Sequence, residues 1–226
     1  IIMSFAPYGV FALITAVVLQ FGYSVLFLLA KYTFVVILGQ LILLLFVDFL
    51  AVYLFTGVSP LRFFRGIKDV MAMGFSTSSS GATLPVTMEC CEKNLGISNE
   101  VTSFVAPLGA TINMNGTALY QGVAAVFIAQ VYGFNLDPST ALTIVITATL
   151  ASIGTAGVPG VGTITLALVM RTVGLPLQGI ALILGVERIL DMVRSVVNIS
   201  GDCACALIVA HSEGELRLPR RVKLQS

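Results

Sequence analysis

The sequence predicts an all-α integral membrane protein in which broken transmembrane helices accompany two re-entrant helical hairpins. Three observations point there. The 226 residues are 57% hydrophobic and 10% charged, with no tryptophan, whereas soluble domains carry about 25% charged residues. Two runs of small and polar residues, 76–83 and 152–162, interrupt segments otherwise apolar enough to lie in a bilayer. Irregular backbone survives at that depth only when wrapped in protein or lining a cavity. Finally, Glu187, Asp191, Arg194, Ser195, Asn198 and Asp202 fall within an arc of about 100° on a helix whose other faces are aliphatic. A charge at the bilayer centre costs about 2.5–3.5 kcal/mol, so that stripe must face protein, ions or a ligand.

Residues 1–57 are expected to form two transmembrane helices, over 5–30 and 33–56, each as long as the ~20 apolar residues that cross a bilayer. Asp48 is the one ionisable group in these spans. It lies near the end of its helix and is expected to snorkel or to contact a neighbouring helix. The stretch 59–70 reads as a loop, and Arg62, Arg65 and Lys68 assign it to the cytoplasm by the positive-inside rule.

The remainder of 58–211 divides into a hairpin over about 69–92, a broken helix over about 101–132, a second hairpin over about 139–174 and the polar-striped helix over about 178–211. The first tip falls near Ser78, Ser79, Ser80 and Gly81. The break in the third segment is marked by Gly109, Thr111, Asn113, Asn115, Gly116 and Thr117, all helix breakers or oxygen-bearing side chains. Each hairpin is followed by a spanning helix with a polar centre, the internal repeat expected of secondary transporters, with a site where the tips meet. The tail 212–226 carries Arg217, Arg220, Arg221 and Lys223 and is expected in the cytoplasm.

Other function classes find little support. The formal charge is +1, with no basic stripe before the tail, so nucleic acid is not an expected partner. The opening residues lack a basic region and a cleavage site, and the chain is expected to start inside a longer protein. Cys90, Cys91, Cys203 and Cys205 lack the spacing of a zinc site and are expected to be buried thiols, while His211 reads as a solvated terminal residue. No cofactor is expected. With neither G-x-S-x-G nor a histidine at membrane depth to activate a serine, an intramembrane hydrolase is disfavoured and the protein is not expected to be an enzyme. The triplets at Asn115 and Asn198 match the glycosylation acceptor but lie at membrane depth.

The stretches SSSGATLPVT, PLGATINMNGTALYQ, LASIGTAGVPG and LDMVRSVVNISGD occur in this order along the chain. They resemble the signature stretches of the dicarboxylate/amino acid:cation symporters, the family of archaeal aspartate transporters and animal excitatory amino acid transporters. The resemblance covers nearly the whole chain and implies the second half of such a protein, with 58–211 as the transport core of a sodium:dicarboxylate symporter fold. It implies sodium-coupled symport of aspartate or glutamate by a multi-pass protein of the cell membrane, a homotrimer at full length. A C4-dicarboxylate or proton-coupled glutamate symporter, and more remotely a substrate-gated anion channel, are the alternatives.

The same resemblance assigns roles. Arg194 is expected to grip the substrate's side-chain carboxylate, Asp191 its ammonium, and Asn198 its α-carboxylate. Ser195 and Thr117 supply hydroxyl contacts, and the backbone of Ser80 and Val158 meets the ligand at the tips. One cation site is implied at Gly109, Asn113, Asn198 and Asp202, and a second at Thr111, Ser152, Ile153 and Thr155. Oxygen donors of this kind suit a hard ion such as sodium.

Three departures stand out. This chain reads NMNGT where the family usually reads NMDGT, so Asn115 replaces a carboxylate of a third cation site; coupling to fewer sodium ions is expected. Ser78 and Met192 occupy the positions where members carry an accessory arginine, and Arg188, one turn before Met192, is expected to compensate or else to pair with Glu187 or Asp191. Gln121 stands where animal glutamate carriers have a glutamate, so potassium countertransport is not expected.

Overall fold

The computed structural model describes residues 2–217, all of whose regular elements are helical. The N-terminal part is α1 (Ile2–Phe21) followed by one long helix made of α2 (Ser24–Ile42), a π-helical turn (Leu43–Phe49) and α3 (Leu50–Thr56). The break between them falls at Gly22, whose φ of +81° is a left-handed conformation that only glycine adopts without penalty. It therefore comes about ten residues earlier than the hydropathy profile implies. Among the described residues, Ser24–Thr56 alone combines the length and hydropathy of a self-sufficient span.

The expected loop at 59–70 is instead the start of α4 (Pro60–Thr77). Pro60 occupies the first helical position and the Ser59 hydroxyl accepts from the Arg62 N–H at 3.4 Å, a start signal present in the sequence. Arg62, Arg65 and Lys68 then form one exposed stripe at three-residue spacing, while Phe63, Ile67 and Val70 are buried. The first hairpin thus runs from Pro60 through α4 and α5 (Ser80–Glu89) into a second π-helical turn (Cys90–Asn94).

The remaining elements follow the expected order. The broken helix is α6 (Asn99–Ile112) and α7 (Asn115–Val131), and the second hairpin is α8 (Pro138–Ser152) and α9 (Val161–Thr172). A short 3₁₀ turn (Leu177–Gly179) leads into α10 (Ile180–Ser212). Asp137 caps α8 by accepting from the Thr140 N–H at 2.8 Å, and the hydrogen bonds from Thr140 hold its carboxyl below the usual range.

The long α10 packs against α1, α2, α4, α6 and α7 and joins two apolar clusters. Its first half contributes Leu182, Ile183 and Leu190 to a cluster with α1, α2, α7, α8 and α9; its second half contributes Val197, Ile199, Cys203 and Leu207 to one with α3, α4 and α6. Lipid tails are as apolar as leucine, so close packing rather than escape from water must hold such helices together. Gly74 against Ile199 and Gly185 against Ile14 allow that approach, since a Cβ at either would collide with its neighbour.

Polarity is distributed inside-out. Leu19, Phe27 and Ile164 are among many large apolar side chains on the exterior, while Gln40, Asp48, Glu187, Asp191, Arg194 and Asp202 are buried. Asp48 is 4% exposed and turned inward, so of the two expectations for it snorkelling fails and helix contact holds. Cys90, Cys91 and Cys203 are buried, but Cys205 is on the outer face of α10, contrary to the expectation for all four. His211 is exposed in the last turn of α10. In the tail, Arg217 pairs by its backbone N–H with Gly96, while Arg220, Arg221 and Lys223 lie outside the described residues.

Candidate functional site

Two hairpin tips meet over the middle of α10. After α4, Ser78 takes the left-handed conformation at φ 54°, unique for a non-glycine among the described residues, and Ser79 returns to extended backbone to cap α5. Strain of this kind is tolerated where surrounding contacts hold it. Those contacts come from the second tip: the Ser79 hydroxyl donates to the Gly157 carbonyl at 2.6 Å, and the Gly81 N–H donates to the same oxygen at 3.0 Å. A Cβ at Gly157 would stand 2.8 Å from the Gly81 nitrogen, so this close approach of the tips requires glycine at position 157.

Beneath the tips lies a closed cleft lined by Ser80, Thr117, Val158, Asp191, Arg194, Ser195 and Asn198, so every residue assigned to the substrate from sequence converges there. Ser78, Met114, Ala156, Gly157 and Val161 complete its wall. The enclosed space has room for about one water molecule, so an amino acid enters only if a tip moves.

Arg194 is 3% exposed. Its Nη2 donates to Glu187 Oε1 at 3.1 Å and to Asp191 Oδ1, and its guanidinium lies 4.4 Å from the centre of the Tyr120 ring. Nη1 has no hydrogen-bond partner among the described residues. Glycine at position 162 is required here too, because a Cβ would stand 2.8 Å from the guanidinium carbon. Asp191 reaches the second hairpin as well, accepting from the Gly160 N–H at 2.9 Å. Arg188 is drawn toward the first, its Nη2 3.5 Å from the Ser76 carbonyl and its Nη1 4.0 Å from Asp191. Glu187, which the sequence left without a role, is thus a partner of Arg194, and one α10 face carries two acids and two bases.

The residues of the first expected cation site are partly assembled. Asn113 Nδ2 donates to Asp202 Oδ1 at 3.0 Å, and Gly109 faces Asp202 so closely that a Cβ would be 2.6 Å from that oxygen. Asn198 looks instead to the start of α7: its Oδ1 accepts from the Gly116 N–H at 2.8 Å and its Nδ2 donates to Thr117 Oγ1 at 3.1 Å. For the second site, the Gly154 N–H donates to the Thr111 carbonyl at 2.9 Å and so ties the second tip to the end of α6. The Ser152 and Thr155 hydroxyls bond carbonyls of their own hairpin, and Ile153 is exposed. Two further amides are buried nearby: Gln40, missed by sequence reasoning, donates from Nε2 to the Gly116 carbonyl at 2.8 Å, and Gln121 donates from Nε2 to Thr165 Oγ1 at 2.5 Å. A helical spacing of four from Val36 through Gln40 and Leu44 was the available signal for Gln40.

A family profile described as the sodium:dicarboxylate symporter family matches residues 1–212. The chain belongs to the sodium:dicarboxylate symporter family. Excitatory amino acid transporter 1 of Rattus norvegicus is 44% identical over 220 residues, which are 96% of this chain and 40% of that protein. An excitatory amino acid transporter of Caenorhabditis elegans is 43% identical over 212 residues, 93% of this chain and 42% of the relative. Neutral amino acid transporter B(0) of Oryctolagus cuniculus is also 43% identical over 212 residues, 93% of this chain and 39% of the relative. This member of the sodium:dicarboxylate symporter family therefore spans about two fifths of the length of these relatives. As in the transporters it resembles, it is part of a multi-pass membrane protein.

Proposed function

We propose that this chain is the substrate- and ion-binding part of a transporter that couples the uptake of an acidic amino acid, aspartate or glutamate, to sodium. The observation that supports this best is Arg194: a guanidinium 3% exposed, lining a cleft between two hairpin tips, with one nitrogen unpartnered among the described residues. A planar fork of this kind suits a carboxylate. Asp191 then receives the ammonium and Asn198 with the tip backbone the α-carboxylate, while Ser195 and Thr117 add hydroxyl contacts. Sodium occupies the two oxygen-rich groups around Asp202 and around Thr111. The paired helices α4 and α5, and α8 and α9, act as re-entrant hairpins. The second closes over substrate and completes its own cation group, which couples ion binding to gating. At full length the protein is a homotrimer of the cell membrane with a cytoplasmic C-terminus.

One observation favours a second reading. Glu187 and Asp191 already pair with the charge of Arg194, so a neutral amino acid would not leave it without a counter-ion. Competition decides between the readings. Labelled aspartate uptake by the full-length protein in proteoliposomes should be displaced by glutamate and not by serine. Displacement by serine at equal concentration would favour a neutral carrier, and displacement by succinate a dicarboxylate carrier with no use for Asp191.

A further inference from the structure

The inward face of the long second helix repeats every four residues through Val36, Gln40, Leu44, Asp48 and Val52. Two polar side chains interrupt this apolar row, and both land on the break between α6 and α7. Gln40 holds the Gly116 carbonyl, and Asp48 lies within reach of the Asn115 side chain. Asp48 sits in the π-helical turn Leu43–Phe49, and wide turns of this type occur frequently at functional sites.

The electrostatics around Asp48 are unbalanced. It is 4% exposed, its Oδ2 has no hydrogen-bond partner among the described residues, and it lies within electrostatic reach of Asp202, which is 2% exposed. Among the described residues neither carboxylate has an ion-pair partner; each is met by an asparagine amide, Asn115 for Asp48 and Asn113 for Asp202. The two amides pass each other over Gly201, where a Cβ would stand 2.6 Å from Asn113 Nδ2 and 3.3 Å from Asn115 Nδ2. An amide can satisfy one lone pair, but it cannot offset the charge of a carboxylate removed from water. Two such anions side by side call for a cation.

We propose that Asp48 is the charged ligand of a monovalent-cation site shared with Asn115, adjacent to the group around Asp202, so that the second helix supplies the negative charge that α7 lacks at Asn115. Asp48 and Asn115 then act as one unit: the carboxylate provides the charge, and the amide oxygen, which accepts from the Gly116 N–H at 2.8 Å, turns to the ion as a neutral ligand of the kind hard cations prefer. On this proposal Asn115 does not by itself imply fewer coupled sodium ions, since the charge comes from Asp48. The inference rests on the sodium-coupled reading of the cleft.

The test uses the full-length protein in detergent and in proteoliposomes, with sodium chloride as probe and choline chloride as control. Thermal stability of the wild type is followed against sodium concentration, because each bound ion adds to the slope of stability on log concentration. Asp48→Asn should lower that slope by about one ion and weaken sodium activation of uptake by roughly tenfold or more. The double variant Asp48→Asn/Asn115→Asp, which moves the carboxylate back to α7, should restore both. An Asp48→Asn protein that keeps the wild-type sodium dependence overturns the proposal. So does one in which only the pH dependence changes, since Asp48 would then carry a proton. If the single variant does not fold, failure of the folded double variant to bind sodium as the wild type does overturns it as well. A wild type indifferent to sodium refutes the functional reading itself, which separates the two failures.

Discussion

Glu187 and Arg194 stand two turns apart on α10, and their side chains meet at 3.1 Å inside the protein. The pair means that the substrate-facing guanidinium is held by an internal anion before any ligand arrives. An incoming carboxylate must compete with Glu187 and Asp191 for the same nitrogen or use the free Nη1. Glu187→Gln removes one competitor while keeping the shape. The KM for aspartate should fall by roughly threefold to tenfold, the scale expected for one partly compensated charge pair, and uptake kinetics at fixed sodium measure it. A KM that rises would mean that Glu187 positions Arg194 rather than competes for substrate.

Arg194→Ala should abolish aspartate uptake and destabilise the protein by about 3–5 kcal/mol, because it strips Glu187 of its buried cation and leaves Asp191 only Arg188, 4.0 Å away. Arg194→Lys keeps the charge and should restore much of the stability, yet transport should stay at least roughly tenfold down for want of the bidentate fork. Thermal unfolding and uptake measured side by side separate the two contributions.

Closure of the cleft depends on glycine at its tips. Gly157→Ala puts a methyl 2.8 Å from the Gly81 nitrogen. Overpacking of this kind costs about 1–3 kcal/mol, which corresponds to a loss of roughly 5–150-fold in aspartate affinity if closure and binding are coupled. The fold should survive, since the tip lies apart from both apolar clusters. Equilibrium binding with labelled aspartate reports the change.

Arg188 lies between Asp191 and the Ser76 carbonyl, 4.0 Å and 3.5 Å away, and its side chain is 22% exposed. This position joins α10 to the first tip, as the compensation idea requires, and also includes the pairing with Asp191. Arg188→Ala should weaken aspartate binding severalfold without loss of stability. Unchanged affinity and rate would leave Arg188 as a structural partner of Asp191.

Much of the site was legible because its cause is local. Small and polar residues within apolar runs mark backbone that cannot face lipid, and the tips at Ser78–Gly81 and near Gly157 lie inside those runs. The stripe on α10 followed from helical periodicity alone. What was hidden depends on partners. Glu187 meets Arg194 at a spacing of seven, and only rotamers, not sequence, decide that contact. Asp48 sits near the end of its span, where snorkelling is the usual outcome, yet it is buried in the row Val36, Gln40, Leu44, Asp48 and Val52, within reach of Asn115 on α7. The misread helix start at Ser59 and Pro60 is different, since its capping signal was present and the adjacent basic residues outweighed it.

The most direct test is uptake of labelled aspartate into proteoliposomes holding the full-length protein, with an inward sodium gradient and with choline in its place. The account predicts concentrative uptake that requires the gradient, collapses when sodium is equal on both sides, and is lost in Arg194→Ala. Aspartate accumulation of the same extent in choline, or retained in that variant, would contradict it.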